Sequence, residues 1–264
     1  MNDRGFKYCL RLALAASALG WVNIAIADLP ETISRVRSSI VAIGIFKKTQ
    51  SPPFQFRGTG FAVGDGTLIA TNAHVIPDLP FKEGGELSVL VKSGKNEGAI
   101  RRVQLVNRDA NHDLAILRMD GPPIPPIELD RNANIQEGHE IAFTGFPIGG
   151  ALGFSHVTHR GIISSITSIA PPMGNSNQLS EKSVLRIRQG VFDIYQMDAV
   201  AYPGNSGSPV YAVDNGRVIG IVNMVFVKGS KESALTQPSG ISYAVPVRFL
   251  TDLMSSSNIS GTRN

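Results

Sequence analysis

The amino-acid sequence predicts an all-β fold of short antiparallel strands, finished by one helix. Three observations carry this. Twelve segments are short, apolar and rich in β-branched residues, as strands are. Gly, Pro, Asn and Asp punctuate nearly every gap, as turns require, and the chain holds 27 Gly and 16 Pro. No helical period falls between the segments, so the strands belong to antiparallel sandwiches or barrels.

The strand segments fall at 40–46, 60–63, 68–71, 87–91, 103–106, 114–119 and 141–145, then at 157–166, 191–196, 208–212, 218–226 and 241–245. Asp120-Gly121-Pro122-Pro123-Ile124-Pro125-Pro126 holds four prolines and can be neither a central strand nor a helix interior. It links two halves, roughly 28–120 and 127–245. Each half has about six strands, enough for one small barrel. No sequence repeat relates the halves. Pro246 suits the opening of a helix, and Phe249, Leu250 and Leu253 follow at the spacing of one apolar face. The polar stretch 170–188 is read as a long loop that shapes or gates a cleft.

The first 27 residues stand apart. Arg4, Lys7 and Arg11 precede an almost wholly apolar stretch, 12–27, which ends in Ala25-Ile26-Ala27. This is the pattern of a secretory leader cleaved before Asp28. The competing reading, an uncleaved anchor, needs about 20 apolar residues, and Asn23 interrupts this stretch. The prefix holds three basic residues, one acidic residue and Cys9. Without it, the 25 basic and 21 acidic side chains become 22 and 20, a net of +2. A charge so small, with no basic run, gives no case for nucleic acid as a partner. The expected product is exported, periplasmic or secreted, without stable membrane insertion and without disulfides.

Three segments carry chemistry. Strand 68–71 delivers the chain to His74 in Thr71-Asn72-Ala73-His74-Val75-Ile76. Histidine takes and returns a proton near neutral pH, although alone it is more often a hydrogen-bonded structural residue. Asp113 stands directly before an apolar strand in His112-Asp113-Leu114-Ala115-Ile116-Leu117. A carboxylate there is placed to accept the other ring N–H of a histidine, and its neighbour His112 is expected to face solvent. In Tyr202-Pro203-Gly204-Asn205-Ser206-Gly207-Ser208-Pro209, two glycines flank a serine and a strand follows. The N–H groups of Gly204 and Ser206 then make a candidate oxyanion hole. The order His74, Asp113, Ser206 puts base and acid in the first half and nucleophile in the second, with the site in the cleft between. His156 and His159 face opposite sides of a strand, which disfavours a metal site.

With Gly58-Thr59-Gly60-Phe61, Gly145-Phe146-Pro147, Gly161-Ile162-Ile163-Ser164 and Ile241-Ser242-Tyr243-Ala244-Val245-Pro246, these motifs resemble the trypsin-like serine peptidases, and most of all the HtrA/Deg protease domain. The likeness spans roughly 34–254. It implies two antiparallel six-stranded barrels, about 34–120 and 127–245, and a C-terminal helix at about 246–256. It also implies a serine endopeptidase with catalytic His74, Asp113 and Ser206, no metal or organic cofactor, polypeptide substrates, and a monomer or homotrimer. The resemblance also implies that the residue about six before the nucleophile lies at the floor of the primary pocket. Here that is Val200, between Ala199 and Ala201, so small or medium aliphatic side chains are expected before the cut. Ile221, Val222 and Asn223, in the stretch 221–224, are expected to bind the substrate backbone by strand addition.

Departures matter as well. HtrA-type chains continue into PDZ domains, and this sequence is expected to lack one. Ser208-Pro209 follows the serine where HtrA proteases have small residues. Asn205 is uncharged, so the ion pair that activates digestive trypsins is not expected. The competing functional reading is a catalytically silent double barrel that binds peptides or a partner protein.

Overall fold

The run Ile-Val-Ala-Ile-Gly-Ile-Phe at 40–46 has no polar residue, so a strand built from it must be covered on both faces. In the computed structural model, which describes residues 28–77, 84–92, 98–131, 134–149, 153–168, 192–223 and 240–256, this run is strand β1 (Ile40–Phe46). Val41, Ile43 and Ile45 fill one barrel together with Ile69, Val89 and Leu117. Ile40 and Ala42, on the other face, join Phe146, Tyr211, Ile221 and Val245 of the opposite half. The leader 1–27 and the loop 170–188 lie outside the described residues.

The first barrel continues with β2 (Phe54–Val63), β3 (Leu68–Asn72), β4 (Glu86–Lys92), β5 (Gly98–Asp109) and β6 (Leu114–Met119). The second has β7 (Glu140–Gly145), β8 (Val157–Ser168), β9 (Asp193–Asp198), β10 (Pro209–Ala212), β11 (Val218–Val222) and β12 (Ile241–Pro246). Both barrels are closed and antiparallel, in the orders β1-β2-β3-β6-β5-β4 and β7-β8-β9-β12-β11-β10. The second order is the first with six added to each number, so one topology is used twice without a visible repeat in sequence. β1–β4 pairing closes the first barrel and β7–β10 pairing the second. Closure leaves no free sheet edge. The proline-rich segment runs between β6 and β7 as the sequence predicts.

Among the described residues two helices frame the barrels, where the sequence predicts one. Helix α1 (Leu29–Arg37) was not anticipated. Its nine residues show no long period, yet Pro30 and Glu31 suit a first turn and Arg35 and Arg37 a last one. It buries Thr32 and Val36. Helix α2 (Val247–Ser256) begins one residue later than expected, because Pro246 still pairs with Gly220 at the end of β12. Its buried residues Val247, Leu250 and Leu253 join the cluster between the barrels.

His156, just before β8, packs its ring 4.6 Å from Phe146, with Nε2 3.5 Å from the Ile40 carbonyl. His159, in β8, stacks on Phe143 at 4.9 Å, and its buried Nε2 has no hydrogen-bond partner among the described residues. Burial pushes both rings below their ordinary 6.5; for His156 the Ile40 carbonyl opposes this, while Arg37 and Lys92 add to it. A histidine held neutral in the fold charges first in the unfolded chain. Its stabilisation is complete above the unfolded value and is lost as pH falls below it. The melting temperature is therefore expected to fall on acidification below about pH 6.5. His159→Phe is expected to flatten that decline. Thermal denaturation across pH checks this, and equal slopes for the two proteins would refute it.

Candidate active site

Strand β3 ends at Asn72, and a single 3-10 turn, Ala73–Val75, carries His74. β3 pairs with β6 so that Asn72 faces Leu114. The residue before Leu114 is Asp113, with a φ of +55°. That left-handed backbone is tolerated by aspartate and turns the residue back on the histidine turn. Its carbonyl accepts the Ala73 N–H at 3.0 Å and the Asn72 side-chain amide at 3.1 Å. Its carboxylate accepts the His74 backbone N–H at 2.8 Å through Oδ1 and meets His74 Nδ1 at 2.6 Å through Oδ2. An ionised carboxylate only accepts, so Nδ1 carries the proton and Nε2 keeps its lone pair. The structure thus brings His74 and Asp113 together as the sequence predicts.

A third donor comes from the other barrel. Asn223 Nδ2 donates to Asp113 Oδ2 at 2.8 Å. Asn223 thus has a role beyond the substrate contact expected of it: its side chain holds the carboxylate. The expectation fails for Ile221 and Val222. Both are fully buried; Ile221 pairs with Pro209 and Val245, and Val222 exchanges backbone hydrogen bonds with Ser208 and Gly207. Backbone groups already used inside a barrel are not available to a substrate. Met224 lies outside the described residues.

The serine segment opens with a turn. Pro203 and Gly204 are its central residues, Gly204 has a φ of +102°, and Asn205 N–H closes it on the Tyr202 carbonyl at 3.0 Å. Proline then glycine is the type II pattern, which needs positive φ at its third position. A Cβ at Gly204 would also lie 2.4 Å from the Phe146 carbonyl oxygen. Gly207 is equally constrained: its φ is +85°, and a Cβ there would meet the Thr59 carbonyl oxygen at 2.1 Å. Among the described residues, the N–H groups of Gly204 and Ser206 find no acceptor.

Thr59 anchors this segment, a role that sequence reasoning missed. Its N–H donates to the Ser206 carbonyl at 2.9 Å and its hydroxyl to the Gly204 carbonyl at 2.8 Å. The same hydroxyl accepts the Phe146 N–H at 3.1 Å, and Thr71 Oγ1 donates to the Thr59 carbonyl at 2.7 Å. The signal was its place in Gly58-Thr59-Gly60: a Cβ on Gly58 would lie 3.1 Å from the Ser206 carbonyl oxygen and 2.7 Å from Val75. Ser206 therefore lies across Gly58 from the residue after His74, and it is 6% exposed. Among the described residues its hydroxyl makes no hydrogen bond to His74. Val200 is half-buried between buried Ala199 and Ala201. His112, expected in solvent, is mostly covered: its ring stacks on Phe249 and bonds Asp109.

Two substitutions probe these supports. Asn223→Ala is expected to lower kcat about tenfold and to move KM by less than about twofold, because it loosens the carboxylate and leaves the serine segment intact. Steady-state kinetics on a peptide substrate read both. Thr59→Val keeps the shape but leaves the Gly204 carbonyl and the Phe146 N–H without that partner. It is expected to cost about 1–3 kcal/mol of stability in denaturant titration.

Comparisons with known proteins agree with this geometry. Residues 58–221 match the family model described as the trypsin-like peptidase domain. The chain is 29% identical over 196 residues to a probable periplasmic serine endoprotease DegP-like of Halomonas elongata, covering 74% of this chain and 34% of that protein. It is 26% identical over 222 residues to the serine protease HTRA1A of Danio rerio, covering 83% and 39%. The chain thus spans little more than a third of the length of these curated relatives. A crystal structure of the serine endoprotease from Yersinia pestis has the same fold, with a TM-score of 0.62, 24% identity, and coverage of 89% of this chain and 68% of that one.

Proposed function

The chain belongs to the trypsin-like peptidase domain family, and from that premise we propose that it is a serine endopeptidase acting through His74, Asp113 and Ser206. The observation that carries the reading is the 2.6 Å bond between His74 Nδ1 and Asp113, which leaves Nε2 as the base. In the proposed reaction Nε2 takes the Ser206 hydroxyl proton while Oγ attacks the carbonyl carbon of a peptide bond. The negative charge on the former carbonyl oxygen is received by the Gly204 and Ser206 N–H groups, in line with their lack of other acceptors. His74 then gives its proton to the leaving amine as the C–N bond breaks. It next takes a proton from water, whose oxygen attacks the acyl-enzyme, and hands that proton to Ser206 Oγ as the ester bond breaks and the acid leaves. The missing Ser206–His74 bond fits a substrate-free site, in which catalytic hydrogen bonds are often long until substrate binds.

The half-buried Val200, with Ala199 and Ala201 beside it, supports an apolar pocket floor and cleavage after Val, Ala or Ile. The export pattern at 1–27, with relatives named as periplasmic, supports action outside the cytoplasm. No helix among the described residues is long and apolar enough to cross a membrane. Ser206→Ala is expected to lower peptide hydrolysis at least about 10⁴-fold with an unchanged melting temperature. The unaltered protein is expected to react with a fluorophosphonate at Ser206 and to cut a peptide library mainly after small aliphatic residues. Cleavage retained by Ser206→Ala would overturn the assignment, and a profile dominated by Lys and Arg would overturn the pocket.

A further inference from the structure

The turn that delivers Asp113 is braced from outside the site. Only four residues, 110–113, join β5 to β6. The Asp109 carboxylate accepts the N–H groups of Asn111 at 2.9 Å and His112 at 3.1 Å through Oδ1. Its Oδ2 meets His112 Nδ1 at 2.5 Å. Burial works to raise the Asp109 carboxyl, but the bonds from the His112 side chain and backbone outweigh it and hold the group below its usual 3.8. The other face of the brace is aromatic. The His112 ring lies nearly parallel to Phe249 of α2, at 3.9 Å and 16°, and edge-on to Phe192 at 4.6 Å. Phe192 and Phe249 touch each other at 5.2 Å, and the Arg248 guanidinium lies 4.7 Å from the Phe249 ring centre. α2 is fastened to the same strand that carries Asp109, since Asn107 Nδ2 donates to the Leu253 carbonyl at 3.3 Å.

From this arrangement we propose that His112 is a positioning residue for Asp113, through which the docked C-terminal helix sets the orientation of the catalytic carboxylate. The inference rests on the reading of Asp113 as the triad acid. Asp113 keeps a φ of +55°, a left-handed backbone that aspartate tolerates at some cost relative to the right-handed region, so neighbouring contacts help to hold it. On the β3 side, bonds from Ala73 and Asn72 hold its carbonyl. On the chain side the preceding residue must be immobile as well, and a ring clamped between a carboxylate and two aromatic side chains makes it so. Release of His112 lets the turn relax and swings the Asp113 carboxylate away from His74 Nδ1. Phe192 precedes β9 of the second barrel, and Phe249 lies in a helix packed on both barrels' strands. The clamp therefore makes an aligned carboxylate conditional on the docking of both elements. His112 is 24% exposed at its side chain, and its ring and backbone contacts run to Asp109, Phe192 and Phe249, so it acts on the reaction only through Asp113.

The test combines kinetics with a signal that needs no substrate. His112→Ala is expected to lower kcat about tenfold with KM within about twofold, and to weaken the low-field NMR resonance of the His74 Nδ1 proton. His112→Phe, which keeps the stack on Phe249, is expected to stay within about threefold of the parent kcat. Phe249→Leu, milder than removal of the ring, is expected to lower kcat in the same sense and to combine with His112→Ala less than additively. A lower melting temperature with kcat and the resonance unchanged would overturn the proposal, as would fully additive losses. A protein inert to fluorophosphonate, whose resonance is nonetheless lost in His112→Ala, would overturn the peptidase reading and uphold the brace.

Discussion

Asp113 stands where the two barrels meet, and its carboxylate accepts hydrogen bonds from both. His74 approaches from the end of β3 in the first barrel, and Asn223 from the end of β11 in the second. A partly buried carboxylate is costly unless its oxygens are occupied. Once they are, its orientation is decided by the geometry of its donors. This ties the tautomer of one histidine to the relative placement of two domains. Thr59 supplies a second polar tie, in the opposite sense: a first-barrel side chain and backbone hold the carbonyls of Gly204 and Ser206 in the second.

Apolar packing provides the energy behind these ties, and the ties provide direction. The cluster between the barrels draws Ile40, Phe61, Leu68 and Ile116 from one side and Phe146, Tyr211, Val218 and Val245 from the other. Each fully buried side chain of this size contributes about 1.5–3 kcal/mol, so the interface exceeds any single hydrogen bond in strength. Hydrophobic contact is nondirectional, however, and alone would allow the barrels to slide. A few buried, satisfied polar bonds across the seam give that interface one register. The cleft is therefore placed by the same contacts that hold its functional groups.

Strand composition and turn punctuation made the twelve strands legible, because each apolar residue on either face of a central strand has a covering layer to meet. β6 matches its expected span at both ends, and β1 does too. What the sequence hid is long-range. The order of strands around each barrel lives in pairings such as β3 with β6, which local pattern does not encode. Helix α1 was hidden because nine residues with two arginines and a proline look like a loop until Val36 has a core to enter. At the site, His74 and Asp113 were legible from context, while the bond from Asn223 to Asp113 and the anchoring role of Thr59 were not. An amide or hydroxyl in a strand announces nothing until a carboxylate or carbonyl from another barrel faces it. His112 was misplaced for the same reason, since its aromatic neighbours lie about 80 and 137 positions further along the chain.

Asn205 shows how the site accommodates a neutral group directly before the serine. It is fully buried, and neither atom of its amide has a hydrogen-bond partner among the described residues; the same holds for the Ser208 hydroxyl. Both side chains converge on Gly145, where a Cβ would lie 2.1 Å from Ser208 Oγ, 2.8 Å from Asn205 Oδ1 and 3.0 Å from Thr59 Oγ1. The glycine hydrogen in that direction offers these oxygens only a weak C–H contact. An aspartate at 205 would place an ionised group in the same buried surroundings, and an unpaired buried charge costs far more than an unmet amide. The uncharged residue therefore lets the turn before Ser206 form without an ion pair to complete it. Its order depends instead on the Thr59 bonds, the Tyr202–Asn205 turn and the absence of a side chain at Gly145. In this chain the serine segment is shaped by neutral hydrogen bonds and close packing across the seam, and the charge-assisted bonds gather on the Asp113 carboxylate, from His74 and Asn223.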